Sequence, residues 1–200
     1  MAPTQPPQDR RPLVISGPSG VGKGTLYNLL FTRNPNQFTL SVSHTTRKPR
    51  DGEQHGQHYF FVTMSEFEDL ISRDGFVEHA QFGSNRYGTS KATIAEQEAK
   101  GLVTVLDIEM EGVKQIKASG VPARFVFIKP PSWEALEQRL RGRGTEDEEA
   151  VQKRLKQARI ELEYADSPES PHDKMIVNDD LEKAYQELYD YVYGQGAGAQ

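Results

Sequence analysis

Apolar residues in this chain come as short blocks set between stretches of helical spacing. Leu13-Val14-Ile15 is an unbroken apolar run ahead of a glycine-rich turn, and Leu102 to Ile108, Arg124 to Ile128 and Met175 to Val177 repeat that signature. Such runs predict strands buried on both faces. Helical patterns follow them. Lys23 to about Arg33 carries Leu26, Leu29 and Leu30 on one side, and Val151, Leu155, Ala158, Leu162 and Ala165 recur at intervals of four and three. The alternation predicts an α/β fold, a parallel sheet flanked by helices. Thr145-x-x-Glu148, Ser65-x-x-Glu68 and Asp179-x-x-Glu182 predict helix starts, and Gly194 can close the last helix.

Between Ser41 and Phe82 the rhythm changes. Tyr59 to Val62 and Phe76 to Phe82 read as short strands, and alternation of Phe76, Glu78, Ala80 and Phe82 on one face sends Glu78 inward. A small mixed β lobe, about 41–89, is expected within a core of 12–40 and 90–193, with no second domain. Met1 to Arg11 holds three prolines and no apolar segment, and is expected to be a disordered tail; 194–200 reads as a flexible end.

Composition narrows the chemistry. The 200 residues carry 29 acidic and 24 basic side chains, a net charge of −5, which offers no broad basic face for nucleic acid. The absence of cysteine excludes disulfides, thiolate metal sites and a cysteine nucleophile. Apolar runs stay far below the roughly 20 residues of a membrane helix. A cytoplasmic monomer with neither a membrane nor a nucleic-acid partner is expected. His55-x-x-His58 sits in a polar turn without acids at ligand spacing, so no histidine metal centre is expected.

Gly17-Pro-Ser-Gly-Val-Gly22-Lys23 is G-x-x-x-x-G-K between a strand and a helix. Its glycines let backbone N–H groups turn inward as an anion nest, the helix N-terminus adds positive potential, and Lys23 supplies a point charge for phosphates. The general pattern continues with Ser or Thr, a magnesium ligand, but here Gly24 follows and Thr25 comes next. Direct Mg²⁺ ligation by the loop is therefore not expected; Mg²⁺ is expected through nucleotide phosphates and water, with Thr25 or Asp107, the acid closing the strand from Leu102, as the only candidate protein ligands. Arg47 and Arg50, three apart beside Pro49, read from the residues alone as either a phosphate clamp or a solvated basic loop. Arg139, Arg143 and Arg154 read as either a charged helical hairpin or a lid hinged at Gly142 and Gly144.

Ser41-Val-Ser-His-Thr-Thr-Arg-Lys-Pro-Arg50, Gly56-x-x-Tyr59-x-Phe61, Val77-Glu78, Tyr87-Gly-Thr89, Leu106-Asp-Ile-Glu109-x-x-Gly112 and Gly142-Arg-Gly-Thr145 follow the phosphate loop in order. With it they resemble the guanylate kinase family across about residues 12–193. That resemblance implies phosphoryl transfer from ATP to GMP with Mg²⁺. It implies ATP contacts from Gly17, Ser19, Gly20, Val21, Gly22, Lys23, Gly24, Thr25, Arg139, Arg143 and Asn178, with a lid over about 134–165. It implies GMP contacts from Ser43, Arg47, Arg50, Tyr59, Glu78, Tyr87, Thr89, Asp107 and Glu109, with Lys23, Arg47, Arg143 and Arg154 serving catalysis. The base assignment agrees with hydrogen-bond polarity: guanine offers donors at N1 and N2 and an acceptor at O6, which suits the Glu78 carboxylate and the Ser43 and Thr89 hydroxyls. Glu109 departs from the family's aspartate and lengthens the reach of that carboxylate.

Overall fold

The structure, a computed structural model, describes residues 6–142 and 147–194. β1 (Leu13–Ser16), α1 (Lys23–Arg33) and β2 (Phe38–Leu40) open the chain. β3 (His44–Thr45), β4 (Phe60–Phe61), α2 (Met64–Ser72), β5 (Phe76–Phe82) and β6 (Asn85–Ser90) follow. The chain then runs through α3 (Lys91–Ala99), β7 (Val103–Asp107), α4 (Met110–Ser119), β8 (Arg124–Lys129), α5 (Trp133–Arg141), α6 (Glu148–Ala165), β9 (Lys174–Val177) and α7 (Leu181–Tyr193).

Five strands form an all-parallel sheet in the order β2-β7-β1-β8-β9. Leu13, Val14 and Ile15 are fully buried at its centre, because helices cover both faces. Leu26, Leu30, Leu136, Leu188 and Val126 share one apolar cluster with Leu13 and Ile15, whereas Val14 and Leu106 pack with Val113 and Ile116 on the other side. Strand order reverses at β1, so its carboxyl end opens into the crevice where such folds hold ligands. The remaining four strands make a separate mixed sheet, β4-β3-β6-β5, with β3 parallel to β4 and antiparallel to β6.

Several local expectations are corrected. α2 starts after Thr63, whose hydroxyl accepts from the Glu66 amide while the Glu66 carboxylate takes the Thr63 amide in return, rather than at Ser65-x-x-Glu68. α6 and α7 are capped by Asp147 and Asp180, one or two residues from the expected caps at Thr145 and Asp179; Thr145, like Arg143 and Gly144, lies outside the described residues. On α6 the buried stripe takes in Glu161 instead of Leu162, since a straight helix advances by 3.6 residues per turn and drifts off a strict four-three spacing. The alternation on β5 fails as well: a bulge between Phe76 and Glu78 shifts the register, and Phe82 is 80% exposed. Within the expected N-terminal tail Pro7 is buried, and Asp9 accepts three hydrogen bonds from the Arg11 guanidinium, at 3.0, 3.1 and 2.6 Å. Residues 195–200 of the expected C-terminal tail lie outside the described residues. Among the described residues no helix is long and apolar enough to cross a membrane.

His172 ties the strap before β9 to the end of β1. Its Nε2 lies 2.8 Å from Ser16 Oγ and its Nδ1 2.7 Å from Ser170 Oγ, against the ring of Phe127. Burial pushes its pKa from 6.5 down to about 4. As pH falls, the unfolded chain takes up the proton near 6.5 and the folded chain only near 4, so stability is lost across that window. Urea unfolding at pH 7 and pH 4.5 should show a loss smaller in His172→Gln than in the parent by on the order of 1–2 kcal/mol, after allowance for partial exposure.

Candidate active site

The turn from β1 into α1 is shaped by close approach as much as by sequence pattern. Gly17 has φ 139°, and a Cβ there would stand 2.4 Å from the Ile128 carbonyl oxygen; Gly22 has φ 98°, and its Cβ would stand 2.5 Å from Asn178 Nδ2. Only glycine satisfies both demands. Gly22 is also the N-cap of α1, so no side-chain oxygen caps the helix, and its first turn holds no acid. An uncapped start leaves amide N–H groups and the positive end of the helix dipole available to an anion. Lys23 Nζ donates to the Gly17 carbonyl at 2.6 Å and lies 3.8 Å from Asp107 Oδ1 at the end of β7.

The loop is braced from behind. Asn178 Nδ2 donates to the Val21 carbonyl at 2.8 Å, and Arg139 donates to the Asn178 and Val21 carbonyls at 2.9 and 3.4 Å. The Asn178 amide and the Arg139 guanidinium, both expected near ATP from the sequence, thus hold the backbone that forms the nest. On the open side Arg154 of α6 donates to Ser19 Oγ at 2.5 Å. Gly17, Ser19, Lys23, Asp107, Glu109 and Arg154 line one cavity of about 330 Å³, joined by Gln157, Ala158 and Glu161 of α6.

Glu161 is the member that the pattern missed. It is 6% exposed, accepts from Gln157 Nε2 at 3.0 Å, and has its pKa raised by burial, partly offset by that bond and by Lys23. Burial likewise raises Asp107, with Lys23 and the Tyr27 hydroxyl opposing it. Among the described residues no group of three or more His, Cys, Asp or Glu could hold a metal ion, and Thr25 is exposed. The donor set fits Mg²⁺ carried by phosphates and water, with Asp107 as the nearest carboxylate to Lys23, and does not fit an all-protein cage.

In the lobe, Arg47 donates to both Glu53 carboxylate oxygens, at 2.9 and 2.8 Å, and to the Lys48 carbonyl at 2.8 Å. Glu53 and the Lys48 carbonyl thus hold one edge of the guanidinium, and the Tyr87 side chain is a further hydrogen-bonding partner. Glu53 also accepts from the Arg50 amide at 2.7 Å, and these donors, Arg47 first, hold its pKa down at about 2. The Arg47 guanidinium carbon lies 5.4 Å from the Tyr59 ring centre, and the Tyr59 and Tyr87 rings meet edge to face at 6.1 Å. Arg50 itself is exposed. Deeper in the lobe Glu78 pairs across the strands with Thr89, whose hydroxyl lies 3.4 Å from Ser43 Oγ. Burial raises the Glu78 carboxyl, while hydrogen bonds from the Thr89 side chain and backbone oppose the shift. Glu53, absent from the sequence assignments, could have been read from its place three residues after Arg50.

A parallel sheet with an uncapped, lysine-bearing glycine loop at its switch point is the arrangement of a phosphate-binding α/β protein, and a separate mixed sheet beside it carries Arg47. The family model for guanylate kinase matches residues 9–195. Guanylate kinase of Schizosaccharomyces pombe is 52% identical over 178 residues, 89% of this chain and 88% of the relative, and that of Homo sapiens is 45% identical over 178 residues, covering 89% and 90%. The crystal structure of guanylate kinase from Anaplasma phagocytophilum superposes with a TM-score of 0.63 at 30% identity, covering 94% of this chain and 87% of that one. The chain belongs to the guanylate kinase family.

Gly17→Ala is expected to destabilise the fold by at least about 2 kcal/mol and to abolish ATP binding, because the Ile128 carbonyl belongs to a core strand that cannot withdraw. Thermal unfolding and titration with an ATP analogue check both effects.

Proposed function

We infer that the guanylate kinase reaction is carried out here as in-line transfer of the γ-phosphoryl group of ATP to the phosphate of GMP, with donor and acceptor held by separate sets of residues. The observation that carries this reading is the meeting of Lys23, Asp107, Glu109 and Arg154 around one cavity at the mouth of the nest. The nest, Gly17 to Thr25, receives the donor phosphates. Lys23 exchanges the Gly17 carbonyl for phosphate oxygens, and Arg154 follows the transferring group. Arg139 and Asn178 serve ATP by keeping the loop in shape, and Arg143 is assigned to the same phosphates by its motif.

On the acceptor side, Arg47 offers the edge left open by Glu53 to the GMP phosphate, helped by Arg50, Tyr59 and Tyr87. Glu78 accepts from guanine N1 and N2, Ser43 and Thr89 face O6, and Glu109 reaches N2. The attacking oxygen is already anionic, so neither a covalent intermediate nor a strong base is required, and catalysis reduces to positioning and charge neutralisation. Mg²⁺, where bound with the ATP phosphates, would supply part of that neutralisation, and Asp107 is the residue that would help to hold it. The proposal extends to a monomer working in the cytoplasm without nucleic acid or membrane, the net charge of −5 offering no broad basic face to either.

A coupled assay of ADP release with GMP, AMP, CMP and UMP should show strong preference for GMP. Glu78→Gln should lower kcat/KM for GMP by about 1.5–3 kcal/mol, roughly 10- to 150-fold, while the KM for ATP changes little and AMP suffers far less. Equal losses for GMP and AMP would make Glu78 a structural acid. Lys23→Met should reduce kcat by roughly 10²-fold or more with GMP binding at the lobe preserved; near-normal turnover would remove Lys23 from catalysis.

A further inference from the structure

β5 is the edge of its sheet: β6 pairs with one side, and the other side presents unpaired backbone groups. At one residue that edge is closed by a side chain from the core. Gln115 of α4 accepts from the His79 amide through Oε1 at 2.9 Å and donates from Nε2 to the His79 carbonyl at 2.9 Å. A carboxamide presents a donor and an acceptor in one plane, as a backbone peptide does, so Gln115 stands in for a neighbouring strand. His79 directly follows Glu78.

The surroundings give this contact a purpose. The bulge between Phe76 and Glu78 shifts the register of β5 against β6 immediately before Glu78, a feature that re-aims the side chain there. Beside the clamp lies a cavity of about 270 Å³ lined by Glu78, His79, Gln115 and Ala118 among others, so packing alone leaves β5 room to shift. One turn before Gln115, Gly112 brings α4 close to the carboxylate: a Cβ there would stand 3.6 Å from Glu78 Oε2. Glu109 is the N-cap residue of the same helix. α4 is thus a single rigid bar that carries Glu109 at its start and grips the strand bearing Glu78 two turns later.

We propose that Gln115 is a positioning residue for base recognition: by pinning β5 to α4 at His79, it fixes Glu78 of the lobe at a set separation from Glu109 of the core. The proposal rests on the assignment of Glu78 to guanine made above. It predicts a loss confined to the acceptor base. In Gln115→Leu, which keeps bulk and removes both hydrogen bonds, KM for GMP should rise about 5- to 20-fold, the scale of one to two neutral hydrogen bonds, with KM for ATP within twofold of the parent. Preference for GMP over inosine monophosphate, which lacks the 2-amino group, should narrow by a similar factor. Gln115→Met, unbranched and close in length, also removes both hydrogen bonds and should give a similar loss, which keeps the test open if the leucine variant folds poorly.

The deciding measurement is a double-mutant cycle with Glu78→Gln. Acting through Glu78, the leucine substitution should add less than about twofold in the Glu78→Gln background. Multiplying losses, equal losses toward GMP and ATP, or a lowered melting temperature with unchanged GMP kinetics would each overturn the proposal. If Glu78→Gln alone leaves GMP use intact, the base assignment itself fails. If it weakens GMP while both Gln115 variants match the parent, the assignment stands and the clamp has no part in it.

Discussion

Everything at the donor side depends on a helix that begins without a cap. Most helices here spend a side-chain oxygen on their first-turn amides, as Thr63, Ser90, Ser132, Asp147 and Asp180 do. α1 begins at Gly22 with none. Unsatisfied amides attract water and fray, so the turn holds its shape only if something else fixes it. The fixing comes from carbonyl oxygens, each held by a cationic or amide donor: Gly17 by Lys23, Val21 by Asn178 and Arg139. Asn178 and Arg139 work from behind while Lys23 lines the cavity, so one segment is both braced and open to an anion.

The lobe solves the same problem with an ion pair. A guanidinium on a flexible stem would lose much side-chain entropy on gripping phosphate. Glu53 fixes it beforehand by taking two N–H groups, and the Arg50 amide holds Glu53 in turn. Because the pair is only partly shielded, its value lies in orientation more than in stability.

The parallel sheet was legible in the sequence because its strands are buried on both faces and so read as unbroken apolar runs. The phosphate loop was legible because its glycines are forced by contacts that no other residue allows. β6 was not: Asn85-Arg-Tyr-Gly-Thr-Ser90 is polar, and its strand character comes from pairing with β5 and β3. Glu161 was hidden because a buried acid breaks the apolar stripe that pattern reading follows, and the bracing of the loop by Asn178 and Arg139 was not legible because spacing gives no sign of a side chain's backbone partners. Glu78 was placed inward on an alternation that the bulge interrupts, so the inward position is real and the reason for it different.

The brace between Asn178 and Val21 spans 157 positions of sequence. The lobe, by contrast, is closed by strands that all lie between His44 and Ser90. Local pairings can form early, whereas a contact of such separation waits until the last strand joins the sheet. A chain still emerging from the ribosome has its phosphate loop but not yet the strand that steadies it. The loop is therefore complete in sequence long before it is complete in structure, its final shape waiting on a residue near the other end of the fold.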